Sequence, residues 1–196
     1  MSTALVKGGA RGVAPKRYLE EPRFLEQMKD LFWANQEREE DAYDRAIYQL
    51  YPPGSTEQCQ RLLQFRQLGE LPSLGKEANI KKVQKVMRTI RYPQVEPLME
   101  LADIEGMTMR HATTLLHFHH PAYPFFTPAV VEGLHKVGMA VVFRDEMSEE
   151  ALLDYEGLMA TLDRLKDDVT FENVPESNCF LTRVLEGALV EYARVD

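Results

Sequence analysis

Gly106 lies in the short stretch Ile104-Glu105-Gly106-Met107-Thr108, between two apolar runs of helical spacing, and this arrangement constrains the fold more than any other feature of the chain. The upstream run begins at Leu98. The downstream run spans Arg110 to Phe118 and passes into Pro121-Ala122-Tyr123-Pro124-Phe125-Phe126-Thr127-Pro128. Helix, glycine turn, helix and proline-stiffened loop predict a tight helical hairpin. In such a hairpin the turn amides and the N-terminus of the second helix point the same way. They can hold a phosphate without reading a base and with little net positive charge.

The rest of the chain reads as helix. Phe24, Leu25, Met28, Leu31 and Phe32 recur at helical spacing, and the pattern continues to Leu50 before Tyr51-Pro52-Pro53-Gly54 stops it. Ser55 or Thr56 is a suitable cap for a helix carrying Leu62, Leu63 and Phe65, and Leu71 to Gly75 reads as a turn. Ile80, Val83, Val86, Met87 and Ile90 make one face of a helix whose other face bears Lys81, Lys82, Lys85 and Arg88. Beyond the loop, Ala129 to Val137 predicts a helix ended by Gly138. Met139 to Phe143 is the one β-like run, too little for a sheet. Ser148 opens a helix reaching about Lys166, and Ser177 or Asn178 opens the last. The expected fold class is all-α: residues 1–17 a mobile basic tail, then a single domain over 18–196, in which 144–196 supply C-terminal helices that pack with the N-terminal helix.

With 196 residues the chain can bury a full core. No apolar run is long enough for a membrane helix, no signal-peptide pattern opens the chain, and a cytoplasmic location is the expectation. Cys59 and Cys179 are too few for a four-cysteine zinc or iron–sulfur site and read as small buried hydrophobes. A net charge of −8 opposes general affinity for nucleic acid. That charge is unevenly spread. Residues 1–17 and 76–91 are basic islands, whereas 20–44 and 144–168 each carry nine acids against three bases, which predicts a bipolar surface and a possible protein partner at the acidic C-terminal segment.

Ile104-Glu105-Gly106-Met107-Thr108-Met109-Arg110-His111-Ala112 resembles the Leu-Pro-Gly-Val-Gly-x-Lys-Thr-Ala hairpin of the helix-hairpin-helix DNA glycosylase superfamily, which includes endonuclease III. Pro121 to Thr127 resembles the loop that delivers the catalytic aspartate in that family. Leu31 to Gln36 is similar to the family's Leu-Leu-Ser-Ala-Gln helix start, and Leu74 to Ile80 to its Gly-x-x-x-x-Lys-Ala-x-x-Ile motif. The likeness spans about residues 31–137 and implies a glycosylase-like helical bundle that binds duplex DNA. It implies contact through Gly106, Met107, Thr108, Met109 and Arg110, helped by Lys81, Lys82, Lys85 and Arg88. Asn35, Gln36, Tyr123, Phe125 and Phe126 would then form a wedge or base pocket.

Three positions depart from that pattern. The aspartate position holds Thr127, which cannot ionise to support an oxocarbenium-like charge. The lysine position holds Arg110, whose guanidinium stays protonated and forms no Schiff base. The second hairpin glycine is Thr108, where a positive φ would carry a steric cost. A shifted register would leave Asp103 or Asp145 as the carboxylate. The resemblance therefore implies a protein of the base-excision-repair type that recognises damaged or distorted DNA, with the usual glycosylase and lyase residues replaced and the catalytic residues unassigned. The alternatives are a divergent active glycosylase and an interaction scaffold that reused the fold.

All five histidines fall between His111 and His135, and His117-x-His119-His120 with Glu132-x-x-His135 raises the question of a metal. A dinuclear carboxylate site needs a second Glu-x-x-His, which the sequence lacks, so neither metal nor cofactor is expected. Trp33, the loop aromatics, Met107 and Met109 could each stack on or wedge into DNA. Each also fits an ordinary core position.

Overall fold

The structure is a computed structural model and describes residues 54–65, 67–168 and 178–194. The expected tail, the helical pattern over 24–50, Trp33, Asn35 and Gln36 lie outside the described residues. Among the described residues six α-helices follow one another: α1 (Thr56–Phe65), α2 (Glu77–Thr89), α3 (Met109–His119), α4 (Pro128–Lys136), α5 (Glu149–Asp168) and α6 (Asn178–Arg194). Short 3-10 segments at Pro72–Gly75 and Glu96–Leu101 precede α2 and the Gly106 turn. The described residues contain no strand, so the fold class there is all-α. None of their helices is long and apolar enough to cross a membrane.

Local chemistry accounts for the helix starts. Ser55 Oγ accepts from the Gln58 amide at 3.2 Å, and Ser148 Oγ from the Ala151 amide at 3.1 Å, each satisfying a donor that has no partner within its helix. The apolar run from Leu98 does not become an α-helix. It forms only the 3-10 segment Glu96–Leu101 before the chain turns, six residues long where most runs of that less favourable hydrogen-bond geometry stop at three or four. Met139 to Phe143 takes no regular secondary structure, and the described residues hold no strand for it to pair with.

Helix α3 runs through the core of the described residues, with every residue from Ala112 to Phe118 buried. Helix α2 lays Ile80, Val83, Val86 and Met87 inward, and α5 contributes Tyr155, Leu158, Leu162 and Leu165. Helices α4 and α6 cross in close contact at Gly133. A Cβ on Gly133 would lie 2.2 Å from the Leu189 carbonyl oxygen, so only glycine allows the two backbones to approach this closely. At the end of the same contact, the Lys136 ammonium donates to the Tyr192 and Ala193 carbonyls at 3.3 and 3.0 Å, supplying charge where the α6 macrodipole is negative.

Candidate functional site

The turn before α3 is built by one glycine and three buried apolar side chains. The Met107 amide donates to the Ile104 carbonyl at 2.9 Å, and Gly106 has φ +78°, which places glycine at the third position of a type II turn. Ile104, Met107 and Met109 point into the core, leaving the Gly106 backbone at the surface. Ser73 Oγ donates to the Glu105 carbonyl at 2.7 Å and fastens the turn to the segment ahead of α2. The amides of Gly106 and Thr108 donate to none of the described residues. Met107 and Met109 are core side chains rather than wedges, so neither side chain is placed to enter a duplex.

Thr108 does not adopt the left-handed conformation that its position in the resemblance suggests. Its φ is −122° and ψ 170°, and it caps α3, its Oγ1 accepting from the His111 amide at 3.4 Å and meeting His111 Nδ1 at 2.8 Å. A hydroxyl that serves as N-cap removes the need for a second glycine here.

Asp145 supplies what Thr108 leaves unsatisfied. Its carbonyl accepts from the Met109 amide at 2.8 Å and its Oδ1 from the Arg110 amide at 3.0 Å. Its Oδ2 takes Arg110 Nε at 2.7 Å and lies 2.6 Å from a terminal guanidinium nitrogen, a forked charge-assisted contact. Burial works to raise the Asp145 pKa, but the side-chain and backbone hydrogen bonds from Arg110, with the Thr108 hydroxyl, outweigh it and hold the carboxyl below its ordinary range. The α3 N-terminus thus already carries an anion, one belonging to the chain itself.

The basic face of α2 lies alongside the segment leading into the turn, and acids from that segment partner two of its lysines. Lys82 meets Asp103 at 2.9 Å and Lys85 meets Glu100 at 2.6 Å, while Lys81 pairs with Glu77 of its own helix at 2.6 Å. Arg88 is exposed and forms no ion pair with a described residue. The structure therefore brings the turn and the α2 stripe together, with most of the stripe already compensated.

The loop over 121–127 differs from the expected base pocket, and the expectation for Tyr123, Phe125 and Phe126 is corrected: all three are core residues, exposed by 0, 5 and 0 %. Polar groups behind the loop hold its backbone inward. The Phe125 amide donates to Glu186 Oε1 at 2.6 Å, the Phe126 amide to Thr113 Oγ1 at 3.3 Å, and Tyr155 donates its hydroxyl to the Pro124 carbonyl at 2.7 Å. Burial pushes the Tyr155 pKa well up, so the group stays a neutral donor. Thr127 caps α4 by accepting from the Val130 amide at 3.4 Å, a structural task that uses the hydroxyl occupying the aspartate position.

The histidines are dispersed into similar tasks. His117 is fully buried, its Nδ1 2.6 Å from the Tyr123 carbonyl and its ring stacked 3.9 Å from Phe125, and His135 Nε2 meets the Val141 carbonyl. No group of three potential metal ligands forms among the described residues. Cys59 is buried, and burial pushes its thiol up to about 11. A groove of about 430 Å³, lined by Pro128, Val131, Glu132, His135 and residues 140–143, contains none of the expected site residues.

Sequence reasoning named Asp145 only as a displaced carboxylate and missed its role at the head of α3. No spacing rule connects it to Arg110, 35 residues earlier. Compared with family models, curated proteins and solved structures, the chain matches none of them.

Proposed function

We propose that this is a helix-hairpin-helix protein of the DNA glycosylase type that grips the phosphate backbone of damaged or distorted duplex DNA without excising a base. The observation that carries this reading is the exposed Gly106 turn, whose Gly106 and Thr108 amides donate to no described residue, next to the positive end of α3. The α2 stripe beside the turn supports it, since Lys82 and Lys85 can exchange a carboxylate for a phosphate at little electrostatic cost. Excision is left out because Thr127 is neutral and occupied as a helix cap, while Arg110 stays protonated and paired.

Fluorescence anisotropy with a short duplex carrying an abasic-site analogue, against its undamaged twin, tests the reading. Binding that prefers the abasic duplex and weakens steeply between low and near-physiological salt is the expected result. No binding to either duplex at low salt overturns it.

A scaffold reading has one observation of its own. On the outer face of α5, Leu153 is 66 % exposed beside Glu149, Glu150 and Glu156, none of which pairs with a described base. Absence of DNA binding combined with retention on a polybasic peptide would favour it.

A further inference from the structure

Residues 139–143 are the β-like run of the sequence, and the fold leaves them unpaired. Exposure alternates along the run. Ala140 and Val142 are exposed, Val142 by 51 %, while Val141 is buried and Phe143 packs on Phe126 with ring centroids 4.9 Å apart. That is the two-residue period of a strand. The amides of Ala140, Val141, Val142 and Phe143 donate to none of the described residues, and among the carbonyls of these residues only that of Val141 has a partner, His135 Nε2. Helix α4 faces this row across the groove of about 430 Å³, a size ordinary for a ligand-binding cleft. Pro128, Val131, Glu132 and His135 fall on one stripe of α4 and form the opposite wall. Glu132 is exposed and forms no ion pair with a described residue.

We propose that this groove is a docking site for an extended basic segment of a partner protein, which pairs its main chain with residues 140–143 as an added strand and sets a Lys or Arg against Glu132. A row of unpaired amides and carbonyls is matched by another main chain rather than by a compact small molecule. The apolar surface of Pro128, Val131 and Val142 favours apolar residues at alternate positions of that segment, those that face the groove. The uncommitted Glu132 carboxylate, on a chain of net charge −8, attracts a cation and repels an acidic segment. A second copy of this chain brings the same negative charge with it, so charge complementarity favours a foreign strand. None of the residues involved belongs to the Gly106 turn, and the inference stands apart from the DNA reading.

The probe is the synthetic peptide acetyl-Val-Lys-Val-Thr-Val-Lys-Val-amide, titrated into the full chain and followed through backbone amide NMR signals. The amides of Ala140 to Phe143 should shift together, and a peptide with glutamate in place of both lysines should bind about threefold more weakly, the scale of one exposed ion pair. Glu132→Lys should reverse that order of preference. Val142→Ser, a change at an exposed position, should weaken the lysine peptide about fivefold through lost apolar contact. Two further peptides, N-methylated at alternate residues in the two possible phases, test the main-chain pairing. One phase should lose binding, because its methyl groups occupy the edge that faces residues 140–143. Equal binding of the lysine and glutamate peptides by wild type, full binding by both methylated peptides, or static 140–143 signals at millimolar peptide would overturn the proposal. Two other occupants would overturn it as well. A wild-type dimer in sedimentation that Val142→Ser separates makes a second copy the occupant. Slow hydrogen exchange of the 140–143 amides in the monomer without peptide means that the chain fills the groove itself.

Discussion

The Gly106 turn and the 121–127 loop are the two segments that the sequence marks most strongly, and they are physically opposite. The turn buries three apolar side chains and shows its backbone to solvent. The loop buries its aromatic side chains and its backbone too, paying for the latter with Glu186, Thr113 and Tyr155 as hydrogen-bond partners. A segment built the first way can present amides to a ligand. One built the second way is scaffold, and opening it would leave several buried polar groups unmatched. The difference makes the loop part of the packed scaffold and leaves the turn as the segment whose backbone a ligand can reach.

The sharpest way to break this comparison is Phe126→Ala. Phe126 is fully buried against Phe143 and Tyr155, with ring centroids 4.9 and 5.6 Å away. Its truncation should cost about 3–5 kcal/mol in denaturant unfolding, the range for a large buried aromatic. Any protein that remains folded should keep its affinity for DNA. If instead the variant is stable and loses DNA binding, the loop is a contact surface and the comparison is inverted.

Gly106→Ala comes next. A residue with a side chain at φ +78° bears roughly 1–2 kcal/mol of steric strain, and the added Cβ would meet Leu71 Cδ1 at 3.0 Å. Stability should fall by about that amount, while affinity for the abasic duplex should fall further than stability explains, because relaxing the strain re-aims the Gly106 and Thr108 amides. A variant that melts lower but binds DNA unchanged would remove the turn from the interface.

How much of this was legible in the sequence follows from the range of the interactions. Gly106 was legible because a type II turn demands glycine locally, and Ser55 and Ser148 because they cap helices through neighbours three residues away; Thr108 and Thr127 cap over the same short range, but the resemblance assigned them the second glycine and the aspartate positions instead. The inward face of α2 could be read from its period. The burial of Phe125 and Phe126 could not, since prolines fix the direction of a loop but not whether its aromatics meet solvent or a partner such as Glu186, 61 residues on from Phe125. Asp145 was hidden for the same reason. A carboxylate meeting a helix start from 35 residues downstream leaves no local trace.

The acid side of the stability curve sharpens the role of the turn with a smaller effect. The Asp145 carboxyl is held below its ordinary value of 3.8 in the folded protein, so the unfolded chain takes up that proton first as pH falls. Its contribution, about 1 kcal/mol for an ion at a helix start, is complete above 3.8 and disappears as pH drops through the lower folded value. Thermal melts of wild type and Asp145→Asn should therefore differ at pH 7 and converge in strong acid. His111 and His119, whose pKa values burial lowers from 6.5, act in the same direction at milder pH, and both proteins share that loss. A difference that persists undiminished in strong acid would mean that the Asp145 carboxylate does not hold the head of α3 as an ion.

The finest distinction lies along α2. Arg88 forms no ion pair with a described residue, whereas Lys81 is paired with Glu77 on the same helix, the two side chains 70 and 81 % exposed. If the stripe follows the duplex, each phosphate contact contributes a slope of about 0.9 to the salt dependence of binding. Arg88→Ala should remove close to that amount, because its charge is otherwise uncommitted. Lys81→Ala should remove less, since freeing Glu77 changes the local charge on a helix end that Lys81 already neutralises. Neither change should move stability by more than about 0.5 kcal/mol, as expected for exposed positions. Equal, near-zero changes in slope would confine the interface to the turn itself. Equal large ones would mean that the Lys81–Glu77 pair opens on binding and that Glu77 gives up its lysine to phosphate.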